Sequence, residues 1–223
     1  MTGAYPAIPY NINKGNLIEK FIPEKIYMIQ AIVDRRSIRK YKDDNIPQSI
    51  IEEIIKAGIL APSSKNRQPW KFIVVKGKSK FDMLATMKKG LEREKKKPLL
   101  PQSSNFLKGA EYTLDIMEQA PIVIFIINQL GLSVNSHLSA EERIYEICNA
   151  QSIGASIENM ILTATDLGLG SLWICDTYFA YEELCDWLHT KGELFAAMAI
   201  GYANETPPAR PRKDIESIVE WRN

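Results

Sequence analysis

The chain has 223 residues, 45% of them apolar and 25% charged, with a net charge of +1. A chain of this length can bury roughly 70–75% of the surface its unfolded form exposes, in one large domain of ordinary globular composition. The near-zero net charge excludes a global field that would draw the protein to nucleic acid or to a membrane. Cys148, Cys175 and Cys185 are an odd number without metal-ligand spacing. They read as small buried residues in a reducing compartment. There is no basic-then-apolar leader, and no apolar run approaches about 18 residues. A cytoplasmic protein is expected.

Residues 1–25 carry Pro6, Pro9, Gly15 and Pro23 with weak periodicity, and read as an extended N-terminal arm. A single domain is expected over 26–223. Ile26 to Asp34 reads as a short helix. Pro47 to Leu60 reads as the next, because Ile50, Ile51, Ile54, Ile55 and Ile59 fall at helical spacing. Asn45 is a candidate cap and Pro47 suits the first turn. Ala61–Pro62 ends the helix, since a residue before proline leaves the helical region. Ala61 to Trp70 reads as a polar loop with an exposed Trp. Phe72 to Val75 reads as a strand, and Lys78 to Leu91 as an amphipathic helix through Phe81, Leu84 and Met87.

Lys88 to Pro101 is basic but lacks the interleaved aromatics of a nucleic-acid surface, so a solvated helix end or loop is expected. Helix resumes from Phe106 to Met117. Pro121 introduces Ile122–Ile127, a β-branched run expected to be a strand covered on both faces. Ser139 and Glu142 have capping-box spacing, and they open a helix expected from about Ala140 to Leu167. Its mid-helix Ala150, Gly154, Ala155 and Ser156 suit close approach of another helix, in a buried centre or a dimer seam. Ser171–Ile174 and Glu193–Gly201 read as strands and Tyr181–His189 as a helix. The proline-rich Ala203–Lys213 reads as an extended tail, with one last element within Ile215–Trp221. Helices mixed with strands predict a three-layer body.

The chemistry is first limited by what is missing. His137 and His189 lie in no motif, and no Walker-type loop is present. Gly168-Leu169-Gly170 follows a helix and precedes a strand, the reverse of the dinucleotide fingerprint order. Two basic turns stand out: Asp34-Arg35-Arg36-Ser37-Ile38-Arg39-Lys40-Tyr41, and Arg210-Pro211-Arg212-Lys213. Each alone reads as a solvated charge run. Together, Arg35, Ser37, Arg210 and Arg212 supply the bidentate cations and hydroxyl that a phosphate monoester requires. Ser63, Ser64, Asn66 and Gln68 form a dense group of short polar side chains suited to a flat heterocycle. Leu169 and Gly170 offer backbone N–H groups where glycine permits close approach.

Four motifs resemble the FMN-dependent nitroreductase family in order and spacing, over roughly residues 26–215: R-R-S-I-R at 35–39, A-P-S-S-K-N-R-Q-P-W at 61–70, the run from Ala150 to Trp173 ending in L-G-L-G-S-L-W, and I-G-Y-A-N-E-T-P-P-A-R-P-R-K at 200–213. The resemblance implies an α+β fold, a nitroreductase-like three-layer α/β/α sandwich with a mixed, mainly antiparallel sheet. It also implies a homodimer whose long central helix lies at the interface, with FMN bound there.

By motif match, Arg35, Ser37, Arg210 and Arg212 would hold the phosphate and ribityl end, and Arg39 would place a cation near the redox ring. Arg36 belongs to the motif with a less defined role. Pro62, Ser63, Ser64 and Asn66 would come from the other subunit, and Leu169 and Gly170 would lie at the ring centre. The implied activity is reduction of nitroaromatics, quinones or a related small acceptor by NAD(P)H, in two half-reactions at one flavin, with no catalytic side chain and no metal. Dehalogenation, flavin fragmentation, heterocycle oxidation and FMN storage share the same motifs. The arm 1–25 lies outside the motif set. The segment 88–117 is expected to be a variable helical insertion.

Overall fold

A computed structural model of the chain describes residues 28–98 and 102–222. The expected N-terminal arm, and the first residues of the first helix, lie outside these. In the described residues, helices α1 (Gln30–Asp34) and α2 (Gln48–Ile59) precede strand β1 (Trp70–Lys76). Helices α3 (Ser79–Lys96) and α4 (Leu107–Gln119) follow, then β2 (Ile122–Asn128), the 27-residue helix α5 (Ala140–Asp166), β3 (Gly170–Ile174), α6 (Tyr181–Leu188) and β4 (Glu193–Gly201). The strands form one sheet in the order β1-β2-β4-β3, and its three ladders are antiparallel. A parallel bridge between Ser37 and Ser171 lies outside the named strands.

The sheet divides the core in two. Successive strand residues point to opposite faces, so Val123, Phe125 and Ile127 of β2 enter one apolar cluster and Ile122, Ile124 and Ile126 the other. All seven residues of β2 are buried. The first cluster packs Met83, Met87 and Leu91 of α3, Ala110, Ile116 and Met117 of α4, and Leu184 of α6. The second packs Ile51 and Ile54 of α2 with Ile153, Ile157, Met160 and Ile161 of α5. The result is an α+β sandwich of three layers. Gly58 of α2 lies so close to α5 that a Cβ there would stand 2.7 Å from Met160 Cγ. Its carbonyl accepts from Ser156 Oγ at 2.9 Å. Of the small residues of α5, Ser156 serves this close helix packing, whereas a Cβ at Gly154 would meet only Trp173, at 3.7 Å.

Several expectations need correction. Trp70 is buried, at 6% exposure, because it begins β1 and packs with Ile51 and Ile54. Phe81 is 74% exposed. The buried stripe of α3 is instead Met83, Met87, Gly90, Leu91 and Glu94. The basic segment is a solvated helix end, as expected: α3 runs on to Lys96 with Lys88, Lys89, Lys95 and Lys96 exposed, while Leu91 and Glu94 are buried. Asn45 caps nothing, since α2 starts after Pro47 without a side-chain cap bond. The cysteines are not all buried, as Cys175 is exposed. The Ser139–Glu142 capping box is present, and Glu142 Oε2 accepts the Ser139 N–H at 2.8 Å.

Candidate cofactor cleft

The cleft begins where α1 stops. The Arg36 guanidinium folds back on that end, donating to the carbonyls of Val33 (2.7 Å) and Arg35 (2.8 Å). These are carbonyls a helix leaves unpaired at its C-terminus. The chain then runs alongside β3, with the Ile38 N–H donating to Ser171 O at 3.0 Å. It next runs antiparallel to the segment after β4. Lys42 N–H donates to Tyr202 O and Asn204 N–H to Lys40 O, each at 2.9 Å, and Tyr41 bridges Ala203. In this way the two basic turns, far apart in sequence, become neighbours.

Together they line a cleft of about 780 Å³. Its walls carry Arg35, Arg36, Ser37 and Arg39 from one segment and Arg210 and Arg212 from the other. Met28, Ile32, Val33, Pro207, Pro208, Ala209 and Pro211 supply the apolar part, and no carboxylate among the described residues lines it. Arg35, Arg36, Ser37 and Arg39 are half-buried, while Arg210 and Arg212 are exposed. Arg39 Nη1 donates to Ser37 O at 3.2 Å. Arg212 Nη1 reaches the carbonyls of Arg210 and Pro211, each at 3.3 Å. Behind the cleft the Tyr41 hydroxyl donates to Ile38 O at 2.8 Å. Burial pushes its pKa far above the ordinary tyrosine value; Glu205 adds to the shift and Arg39 opposes it.

Leu169 and Gly170 are also brought to this junction, but the Leu169 N–H is not the free donor expected. The Leu169 N–H is spent on Ala164 O at 2.8 Å, closing α5. Gly170 is required by packing, because a Cβ would stand 2.8–2.9 Å from three Ile38 side-chain atoms.

Pro62, Ser63, Ser64 and Asn66 are absent from the lining of this cleft. Their loop is clasped against α5. Ser64 N–H donates to Ser152 Oγ (3.2 Å), Gln68 N–H to Ser63 Oγ (3.0 Å), and the Arg67 guanidinium lies 5.0 Å above the Tyr145 ring. Lys65, Asn66 and Gln68 all have left-handed backbone, with φ of 53°, 53° and 48°. Three such non-glycine residues within four positions are uncommon and store strain, typically at a functional loop. Pro62, Ser64 and Asn66 face solvent.

Glu205 escaped the sequence reading. Its Oε1 accepts the backbone N–H groups of both Arg39 and Lys40. Its place in the 200–213 motif was visible, but the contact spans 166 positions and has no local signature.

Fold and cleft define an α+β sandwich with an arginine-lined cleft beside its sheet. Residues 32–202 match the nitroreductase family, and the chain belongs to it. A relative in Methanothermobacter thermautotrophicus, provisionally named NADH dehydrogenase/NAD(P)H nitroreductase, is 26% identical over 87% of this chain and 86% of its own length. Iodotyrosine deiodinase 1 of Sus scrofa is 27% identical over 83% of this chain and 65% of its own. Among solved structures, a provisionally named nitroreductase from Desulfovibrio desulfuricans in complex with FMN is similar with a TM-score of 0.64. It is 26% identical over 87% of this chain and 96% of that one. No helix among the described residues is long and apolar enough to cross a membrane.

Proposed function

We propose that the chain is an FMN-dependent NAD(P)H oxidoreductase, acting as a cytoplasmic homodimer on nitroaromatics, quinones or a related small acceptor. The observation that carries this reading is the meeting of two arginine-rich segments in one cleft that no carboxylate among the described residues lines. The guanidinium groups of Arg35, Arg210 and Arg212 and the Ser37 hydroxyl fit a phosphate monoester, since planar guanidinium donors match phosphate oxygens. The membership of the family and the FMN-bound relative support the rest of the cofactor.

In this reading Arg35, Ser37, Arg210 and Arg212 hold the phosphate end. Arg36 secures the helix terminus that presents them. Arg39 contributes a cation that favours negative charge building up on the ring, by Coulomb attraction in a partly desolvated place. The apolar wall of Met28, Ile32 and Val33 keeps water from one side of the cleft. When bound, FMN supplies the redox chemistry, accepting a hydride from NAD(P)H and passing reducing equivalents to the acceptor. Of the Leu169–Gly170 pair, Gly170 retains the ring-centre role and Leu169 acts as the stop of α5. Pro62, Ser63, Ser64 and Asn66, away from their own cleft and all but Ser63 exposed, serve the site of a second copy.

Purified protein should be yellow, and anaerobic addition of NADH or NADPH should bleach the flavin band. A colourless protein that takes up no FMN would overturn the reading. The deiodinase relative makes reductive dehalogenation the second reading. An acceptor screen of the reduced protein with nitroaromatic, quinone and iodophenol substrates separates the two by which of them restores the band.

A further inference from the structure

We infer that Glu205 is a positioning residue that sets the geometry of the anion cleft by holding its two arginine segments together; this rests on the FMN reading above. A carboxylate beside five arginines is expected to pair with one of them and weaken the site. Glu205 does otherwise. Its Oε1 accepts the backbone N–H groups of Arg39 and Lys40, the latter at 3.2 Å. Arg39 meanwhile directs its guanidinium to Ser37 O. The negative charge is thus used to anchor main chain rather than to pair with the Arg39 guanidinium.

The anchor acts on both walls. On the first, the half-buried segment from Arg35 to Arg39 is pinned at Ile38 to Ser171 of β3, and at Arg39 and Lys40 to Glu205. On the second, only four residues separate Glu205 from Arg210, and two of them are Pro207 and Pro208. Proline fixes its own φ and restrains the residue before it, so the position of Glu205 is carried stiffly to Arg210 and Arg212. Losing the carboxylate would strand two backbone donors and release the last tie between the walls before Arg210, leaving those made by Tyr202, Ala203 and Asn204. Hydrogen bonds to a charged group are the stronger kind, so the release is costly.

The test is the dissociation constant of flavin-stripped protein for FMN and for riboflavin, which lacks the phosphate. Glu205→Ala should weaken FMN at least about tenfold, by the loss of charged hydrogen bonds, and riboflavin less than about twofold. Glu205→Gln, whose amide oxygen can accept the same two N–H groups, should stay within about threefold of wild type for both. Glu205→Asp keeps the charge on a shorter stem and should fall between; it serves if the alanine variant fails to fold. The inference is overturned if the alanine variant (or, if that variant does not fold, the aspartate variant) binds FMN like wild type, if both flavins weaken equally, or if glutamine is as damaging as alanine. Wild-type protein that takes no FMN would instead refute the underlying cofactor reading.

Discussion

Arg35 Nε stands 4.0 Å from Glu158 Oε1, linking the basic turn to α5 with side chains 26% and 48% exposed. An exposed pair of this kind is worth roughly 0–1 kcal/mol. It competes with any anion for the Arg35 guanidinium. Glu158→Gln should therefore tighten FMN binding modestly, by up to about threefold, read by flavin fluorescence at low salt. Weaker binding in that variant would mean that the pair orients Arg35 for the anion.

Gly90 meets Ala180 where α3 crosses the turn before α6. A Cβ at position 90 would lie 2.2 Å from Ala180 Cβ and 2.4 Å from its Cα. Glycine to alanine inside a helix ordinarily stabilises by up to about 1 kcal/mol. Here the sign reverses, because backbone must move. Gly90→Ala should cost about 2 kcal/mol, lowering Tm by about 4–8 °C. FMN affinity below the transition should be unchanged, since no cleft residue is involved. An unchanged or raised Tm would contradict the packing.

Glu193 opens β4 with Oε2 buried and without a hydrogen-bond partner. Burial pushes its carboxyl above the ordinary glutamate value; Glu146 adds to this, and a backbone donor at Val134 opposes it. The native state therefore holds this proton more tightly than the unfolded chain. Stability from this group is present below the ordinary glutamate value and lost as pH rises through the raised one. Glu193→Gln should raise Tm by a few degrees at neutral pH and leave it unchanged in acid below the ordinary value. An equal effect at both pH values would show that the side chain acts by shape alone.

The sheet was largely legible. The β-branched run Ile122–Ile127 could hardly be other than a covered strand, and β4 was readable over its full extent. What escaped was set by partners distant in sequence. Trp70 follows a polar loop, and only the cluster formed by α2, α5 and the sheet makes it core. On α3 the buried stripe includes Gly90 and Glu94, which a search for apolar residues passes over, while Phe81 sits at the exposed first turn. In the cleft, the arginines were visible by motif. The carboxylate of Glu205 became visible only once the segments met.

The central claim is that two separated arginine segments bind one phosphate. The direct measurement is the FMN dissociation constant of Arg35→Ala/Arg212→Ala, with riboflavin as control and circular dichroism to verify the fold. Charged hydrogen bonds are worth roughly 1.5–3 kcal/mol each, so FMN should weaken by about 10²–10⁴-fold, with riboflavin and the fold little affected. Equal FMN occupancy in the double variant and wild type would contradict the account.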